Sequence, residues 1–199
     1  MVHVDLARAQ QRRIKSHLKQ GGIIAYPTES CFGLGVSPFC SRGIHRLLNL
    51  KKRSSHKGLI VITYCLRNCS VFTKNLPEKD WHYLYVHWPA AVTYLLPAKT
   101  TISPVLRGVG HQKIALRIPD HPLAQAIAKA AGGSLVSTSA NRAGQQSCRT
   151  SRETARRFAG KILLIKGQIG HYSRSSHIID LHSGKRSVSY THLTLPTSD

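Results

Sequence analysis

Carboxylates are scarce in this chain. Eight Asp and Glu residues stand against 29 Lys and Arg among 199 residues, a formal net charge of +21. The eight are Asp5, Glu29, Glu78, Asp80, Asp120, Glu153, Asp180 and Asp199, and no acidic cluster appears among them. A hydrolase working with two carboxylates would need a pair from this short set. So would an all-protein cage for a hard metal ion. Long apolar runs are missing too: none reaches the roughly 18 residues of a membrane-spanning helix. The start, MVHVDLARAQQRR, has no apolar stretch after its charges and does not read as a secretory signal. The five cysteines are odd in number, and Cys65 and Cys69 have no second pair at zinc-ligand spacing. The expectation is a reduced chain in the cytoplasm, away from membranes. HExxH, the P-loop, GxGxxG and GxSxG are all absent.

The cations are abundant but dispersed. They fall in RAQQRRIK, HRLLNLKKR, around Arg107 and Lys113, in SRETARRFAGK and in SGKR. Such a surface attracts polyanions such as nucleic acid, nucleotides or polyphosphate. A merely soluble basic surface would look the same, so charge alone assigns no function.

The chain is long enough for one domain with a real core. Residues 4–19 read as a basic amphipathic helix with Leu6, Ile14 and Leu18 near one face, stopped by Gly21-Gly22. Ile23–Tyr26 is a short strand. Residues 41–51 form a helix with Ser41 as its candidate cap, and Gly58–Tyr64 is a buried strand. Helix 78–87 ends at Trp88-Pro89. Val92–Leu96 and Lys113–Ile118 are strand-like. His121–Ala131 is a helix with Pro122 in its first turn and Gly132-Gly133 as its stop. Leu135–Thr138, Ile162–Ile165 and Ser176–Leu181 complete the strands, and residues 151–159 the helices. This alternation without repeats predicts an α/β fold, a single-domain twisted mixed sheet flanked by helices.

Three polar clusters punctuate those elements. AYPTESCFGLG ends the first strand with hydroxyls at Thr28 and Ser30, followed by Gly33 and Gly35, which permit close backbone approach. Lys51-Lys52-Arg53 ends a helix, with Lys57 before the next strand. Ser137-Thr138-Ser139-Ala140-Asn141 follows an apolar run. Singly, each has an ordinary explanation: a turn, a helix end where cations suit the dipole, a polar loop. In open α/β sheets, however, ligands sit beyond strand ends, where such clusters fall.

In this order AYPTESCFGLG, LLNLKKRSSHKGLIVI, ALRIPDHPLA and LVSTSANRAGQQSCRT resemble the YrdC-like family, most closely its TsaC-type threonylcarbamoyl-AMP synthases. The likeness runs from about the first helix to residue 186. The family's paired Lys-x-Arg and Ser-x-Asn motifs are met by Lys51, Arg53, Ser139 and Asn141. The resemblance implies that L-threonine, bicarbonate (or CO2) and ATP give L-threonylcarbamoyl-AMP and pyrophosphate. That product serves threonylcarbamoylation of adenosine 37 in tRNA, completed by downstream transfer proteins. It further implies catalytic roles for Lys51, Arg53, Ser139 and Asn141, ATP contacts from these with Lys57 and Ser147, and threonine contacts from Thr28, Arg117, Ser137 and Ser176. Mg2+ would arrive with ATP, held by phosphates and water rather than by a protein metal site. The residue types suit this chemistry, because attack of an anion on a triphosphate needs charge neutralisation and positioning more than proton transfer.

Two departures from the family stand out. Trp88-Pro89-Ala90-Ala91-Val92-Thr93 replaces the family's Trp-Pro-Gly-Pro-x-Thr. The end, SVSYTHLTLPTSD, lacks the arginine that short members place near the nucleotide, so residues 1–186 are expected to form the domain and 187–199 an atypical, poorly packed tail. The longer relatives carry a further C-terminal domain, for which this chain is too short. Two other functions stay open at this point: a non-catalytic protein binding double-stranded RNA or tRNA, and a different nucleotide-dependent carbamoyl or acyl transferase on the same fold.

Overall fold

The computed structural model describes residues 4–142, 144–172 and 176–187. In chain order its elements are α1 (Arg8–Lys19), β1 (Ile24–Pro27), β2 (Phe32–Val36), α2 (Ser41–Lys51), a 3-10 turn (Ser55–Lys57), β3 (Ile60–Thr63), α3 (Leu66–Cys69), α4 (Glu78–His87) and β4 (Val92–Pro97). There follow α5 (Pro104–Arg107), β5 (Lys113–Arg117), α6 (Pro122–Ala130), β6 (Ser134–Ser139), α7 (Ser151–Arg157), β7 (Leu163–Leu164), β8 (His177–Asp180) and β9 (Arg186–Ser187). The strands form one mixed sheet in the order β7-β1-β2-β6-β3-β5-β4-β8-β9. β1/β7, β3/β5 and β4/β8 are parallel, and the other neighbours antiparallel.

Side-chain alternation sorts the sheet into two faces. Phe32, Leu34, Val36, Val61, Ile114, Leu116 and Val136 point to a large core shared with Ile44, Leu47 and Leu48 of α2 and Leu84 of α4. Ile24, Tyr26, Ile62 and Leu135 point the other way, against Ile14 and Leu18 of α1 and Ala124, Ile127 and Ala128 of α6. On that second face Gly33, Ile60, Ser137, Ser139 and Arg117 continue the pattern, and there the cavity described below opens.

The element ends follow local chemistry. α1 starts at Arg8, later than its pattern suggests, and no side chain caps it. It stops where Gly21 takes φ 73° and the N–H groups of Gly21 and Gly22 return to the carbonyls of Leu18 and His17. Ser41 lies inside α2 rather than capping it; Cys40 precedes the helix and gives no side-chain bond. α6 is capped by His121, whose ring accepts from Ala124 N, and is closed by Gly132 and Gly133, both at positive φ. The Ala90-Ala91 departure leaves its turn anchored: Ala90 N donates to Ile118 O at 3.1 Å.

Sequence reading assigned no element to residues 32–36, where the structure has the strand β2. Pro27-Thr28-Glu29-Ser30-Cys31-Phe32 is a hairpin corner, with Pro27 still paired to Phe32 and Gly33 to Tyr26. Pro27 is tolerated there because β7 pairs only with Ile24 and Ala25. Low strand propensity hides FGLGV, but its alternation is intact: large side chains enter the main core, and glycines face the other side. Sequence reading also missed α3, α5, the 3-10 turn and β9. Ser187 pairs with Ile178 in β9; the rest of the expected tail, residues 188–199, lies outside the described residues. A Cβ at Gly35 would stand 2.7 Å from Leu135 Cδ2 and 3.0 Å from Tyr26 Cε1. Gly35→Ala is therefore expected to destabilise the protein by about 1–3 kcal/mol through overpacking, read as a lower thermal midpoint; an unchanged midpoint would mean that this layer is not close-packed.

Candidate functional site

The cavity has a volume of about 580 Å³, within the usual range for a small-molecule site. Its walls come from the Thr28–Cys31 corner, the end of α2, the 3-10 turn, the last residues of β5 and β6, and the start of β8. Of the ten residues singled out above, Thr28, Lys51, Arg53, Lys57, Arg117, Ser137, Ser139, Asn141 and Ser176 line it. Ser147 does not. It precedes the buried Cys148, whose N–H is tied to Ala140 O.

Lys51 reaches the cavity because of helix geometry. Ile44, Leu47, Leu48 and Lys51 share the buried stripe of α2 at spacings of three and four residues. The side chain that would otherwise join the core is a lysine, and it is only 5% exposed. Its ammonium donates to Ser139 O at 2.5 Å, Asn141 O at 2.8 Å and Asn141 Oδ1 at 3.0 Å. Three acceptors use all three of its hydrogens. Burial, followed by the nearby Arg53 cation, lowers its pKa from 10.5 to about 8. Ser139 Oγ donates to Asn141 Oδ1 at 2.6 Å, and Asn141 Nδ2 to Gln145 O at 2.6 Å. The Lys-x-Arg and Ser-x-Asn motifs are thus one hydrogen-bonded knot, with Lys51 fixing the course of the chain after β6.

Lys52 separates Lys51 from Arg53 in an unusual way. It takes φ 51°, ψ 48°, the left-handed conformation. Lys52 N returns to Asn49 O and Arg53 N to Leu48 O, a helix end that glycine normally serves. Arg53 Nη2 then donates to the carbonyls of Lys57 and Gly58 at 3.2 and 3.0 Å. This clamps the 3-10 turn that carries Lys57.

The remaining lining residues are set by buried partners. Glu29, only 2% exposed, pairs with Arg117 Nη2 and accepts from Asp120 N at 2.8 Å. Among the described residues its Oε2 and Arg117 Nε have no hydrogen-bond partner. Thr28 Oγ1 donates to Cys31 O at 2.8 Å and closes the hairpin corner. Ser137 Oγ accepts from the Tyr26 phenol at 2.7 Å. Ser176 Oγ lies 3.3 Å from Oγ1 of the buried Thr93. Ile60, Ile62 and Ile178 supply apolar wall. Five cations, Lys51, Lys52, Arg53, Lys57 and Arg117, line the cavity, and among the described lining residues there is no carboxylate. Such a site suits an anion with a small apolar portion.

Sequence reading had assigned no role to Glu29, Tyr26, Thr93 or the isoleucines. The signal for Glu29 was its rarity: one of eight acids, placed inside a polar cluster. The isoleucines looked like ordinary strand core, and only the uncovered stretch of sheet reveals them as wall.

Comparison with known proteins gives a consistent picture. The Sua5/YciO/YrdC family model, described as telomere recombination, matches residues 16–189. A threonylcarbamoyl-AMP synthase of Neisseria gonorrhoeae is 44% identical over 181 residues, covering 91% of this chain and 96% of its own length. One of Chromobacterium violaceum is 46% identical over 175 residues, covering 88% and 90%. The crystal structure of P. abyssi Sua5 complexed with L-threonine has a TM-score of 0.83 at 26% identity, over 93% of this chain and 54% of that longer one. E. coli YciO shares the fold, with a TM-score of 0.76 at 23% identity over 94% of this chain and 91% of its own. With the motif pairs knotted at one cavity and the family match spanning nearly the whole domain, this chain belongs to the Sua5/YciO/YrdC family.

Proposed function

We propose that this protein is an L-threonylcarbamoyladenylate synthase, a nucleotidyltransferase that joins L-threonine, bicarbonate or CO2, and ATP into threonylcarbamoyl-AMP with release of pyrophosphate. One observation carries the reading: a single cavity gathers the Lys51–Ser139–Asn141 knot, the clamped Arg53–Lys57 turn and the Arg117–Ser137–Ser176–Thr28 group. The names of the 44–46% identical relatives support it. N-carboxy-threonine attacks the α-phosphorus; a P–O bond forms to its carboxylate and the bond to the bridging oxygen of pyrophosphate breaks. Arg53 and Lys57 hold phosphate oxygens by their charge, while Arg53 Nη2 keeps the 3-10 turn clamped. Lys51 supplies charge and keeps Ser139 and Asn141 in place for the nucleotide. Arg117, backed by Glu29, faces the threonine carboxylate, while Thr28, Ser137 and Ser176 complete its polar contacts. Mg2+ would enter as the ATP complex, and with no carboxylate among the described lining residues it would be held by phosphate and water. The product would pass in the cytoplasm to the proteins that modify adenosine 37 of tRNA.

A second property has its own observation. Arg8, Arg12, Lys15 and Lys19 form an exposed basic stripe on α1, suited to double-stranded RNA or tRNA backbone. Any such binding should weaken steeply between low and physiological salt, as counterion release requires; salt-independent tight binding would contradict a backbone-only contact.

Pyrophosphate release from ATP is expected only with threonine and bicarbonate both present, and serine should be the poorer substrate. Turnover without an amino acid would refute the reading. Arg53→Ala should reduce ATP affinity about 10- to 100-fold, the worth of a charged hydrogen bond, and Lys52→Ala far less. Equal losses would mean that net charge, not the Lys-x-Arg geometry, holds the phosphates.

Lys51 gives the site a pH signature. Its charge fades as pH rises through about 8, so ATP affinity should decline across that pH, and the decline should flatten in Lys51→Met. Folding stability moves the other way. The folded pKa of about 8 lies below the ordinary 10.5, so the unfolded chain binds more protons between them and this group's contribution to stability rises with pH over that window. Titration calorimetry and chemical denaturation at pH 7 and 9.5 check both signs.

A further inference from the structure

A buried hydroxyl lies beneath the cavity, and the proposed reaction does not use it. Tyr26 on β1 is fully buried, and its phenol donates to Ser137 Oγ on β6 at 2.7 Å. β2 lies between these strands, so the ring has to pass over an intervening strand. It can do so because the residues it crosses are glycines. A Cβ at Gly35 would stand 3.0 Å from Tyr26 Cε1; one at Gly33 would stand 3.4 Å from Tyr26 Cζ and 3.3 Å from Ser137 Oγ. Two side chains are thus absent along the path of one hydrogen bond. Among the described residues Ser137 Oγ is the partner of that phenol.

We propose that Tyr26 is a positioning residue: its proton occupies an acceptor site on Ser137 Oγ, which turns the serine's own hydrogen into the cavity and makes Ser137 a donor to an anionic oxygen of the substrate. A serine hydroxyl has one hydrogen and two acceptor sites. With one acceptor site filled from below by a phenol that is itself donating, the hydrogen and the second acceptor site remain for the cavity side. Burial pushes the phenol well above its ordinary value, against the opposing effects of Ser137 and Arg117, so Tyr26 stays protonated and donating at any working pH. Ser137 is therefore poised to donate to a carboxylate or carbamate oxygen. This assignment rests on the functional reading above, which puts Ser137 among the threonine contacts.

The test is a double-mutant cycle with wild type, Tyr26→Phe, Ser137→Ala and the double variant. L-threonine affinity is measured by calorimetry with and without bicarbonate, beside ATP affinity and the thermal midpoint. Tyr26→Phe should weaken threonine about three- to tenfold, the range of one neutral hydrogen bond, and leave the ATP dissociation constant within about twofold. An effect on threonine alone identifies the amino-acid carboxylate as the acceptor; an effect seen only with bicarbonate identifies the carbamate. In the Ser137→Ala background, adding Tyr26→Phe should not change threonine affinity further. It should also raise the thermal midpoint above that of Ser137→Ala, because it removes an orphaned phenol. An unchanged threonine affinity in Tyr26→Phe under both conditions would overturn the assignment. So would an equal fold-loss in both backgrounds, or a Tyr26→Phe protein that fails to fold. A wild-type protein that binds no threonine would overturn the functional reading and this assignment together.

Discussion

The ammonium of Lys51 sits largely out of water, and the surrounding backbone is arranged to keep it there. Moving a cation out of water is costly unless acceptors replace the lost hydration. Two carbonyls and an amide oxygen do so, from the last residue of β6 and from Asn141 just beyond it. The dependence is mutual. Without Lys51 those oxygens would turn elsewhere, and Ser139 and Asn141 would lose their fixed relation to α2. A group that looks from sequence like a phosphate ligand is at least as much the pin that makes two distant segments one site.

The sheet obeys a second constraint, set by what is missing from β2. A strand with two glycines has little side-chain packing of its own on one face. Here the deficit is filled from both neighbours, by Tyr26 from β1 and by Leu135 and Ser137 from β6. The layer beneath the cavity is therefore packed by side chains that reach sideways rather than upward. This couples the hairpin corner carrying Thr28 and Glu29 to the strand carrying Ser137 and Ser139.

Much of the architecture was legible in the sequence because it follows periodicity and punctuation. Ile14 and Leu18 mark the buried side of α1, paired glycines end α1 and α6, and apolar runs mark β3 and β6. β2 was not legible, since its glycines obey a tertiary demand that propensity cannot express. The short helices α3 and α5 have four residues each, too few for a period to show. At the site, motif order indicated Lys51, Arg53, Ser139 and Asn141. The pairing of Glu29 with Arg117 joins residues 88 positions apart in one corner, and no local pattern announces it. Thr93 escaped notice for the same reason: it is buried behind the cavity lining, and its closeness to Ser176 depends on β4 lying beside β8.

The buried stripe of α2 also limits how the gene can vary. Each residue turns an α-helix by roughly 100°. Removing or adding a single residue between Ile44 and Lys51 would leave α2 helical and its composition almost intact, yet it would swing the lysine off the cavity side and bring a neighbour in its place. The left-handed turn at Lys52 would then launch Arg53 in a new direction. Substitutions along this stretch can be graded and repaired one at a time, whereas a change of length is all-or-none. Among homologues, this segment should behave as a ruler: variable in letters on its outer face, invariant in count.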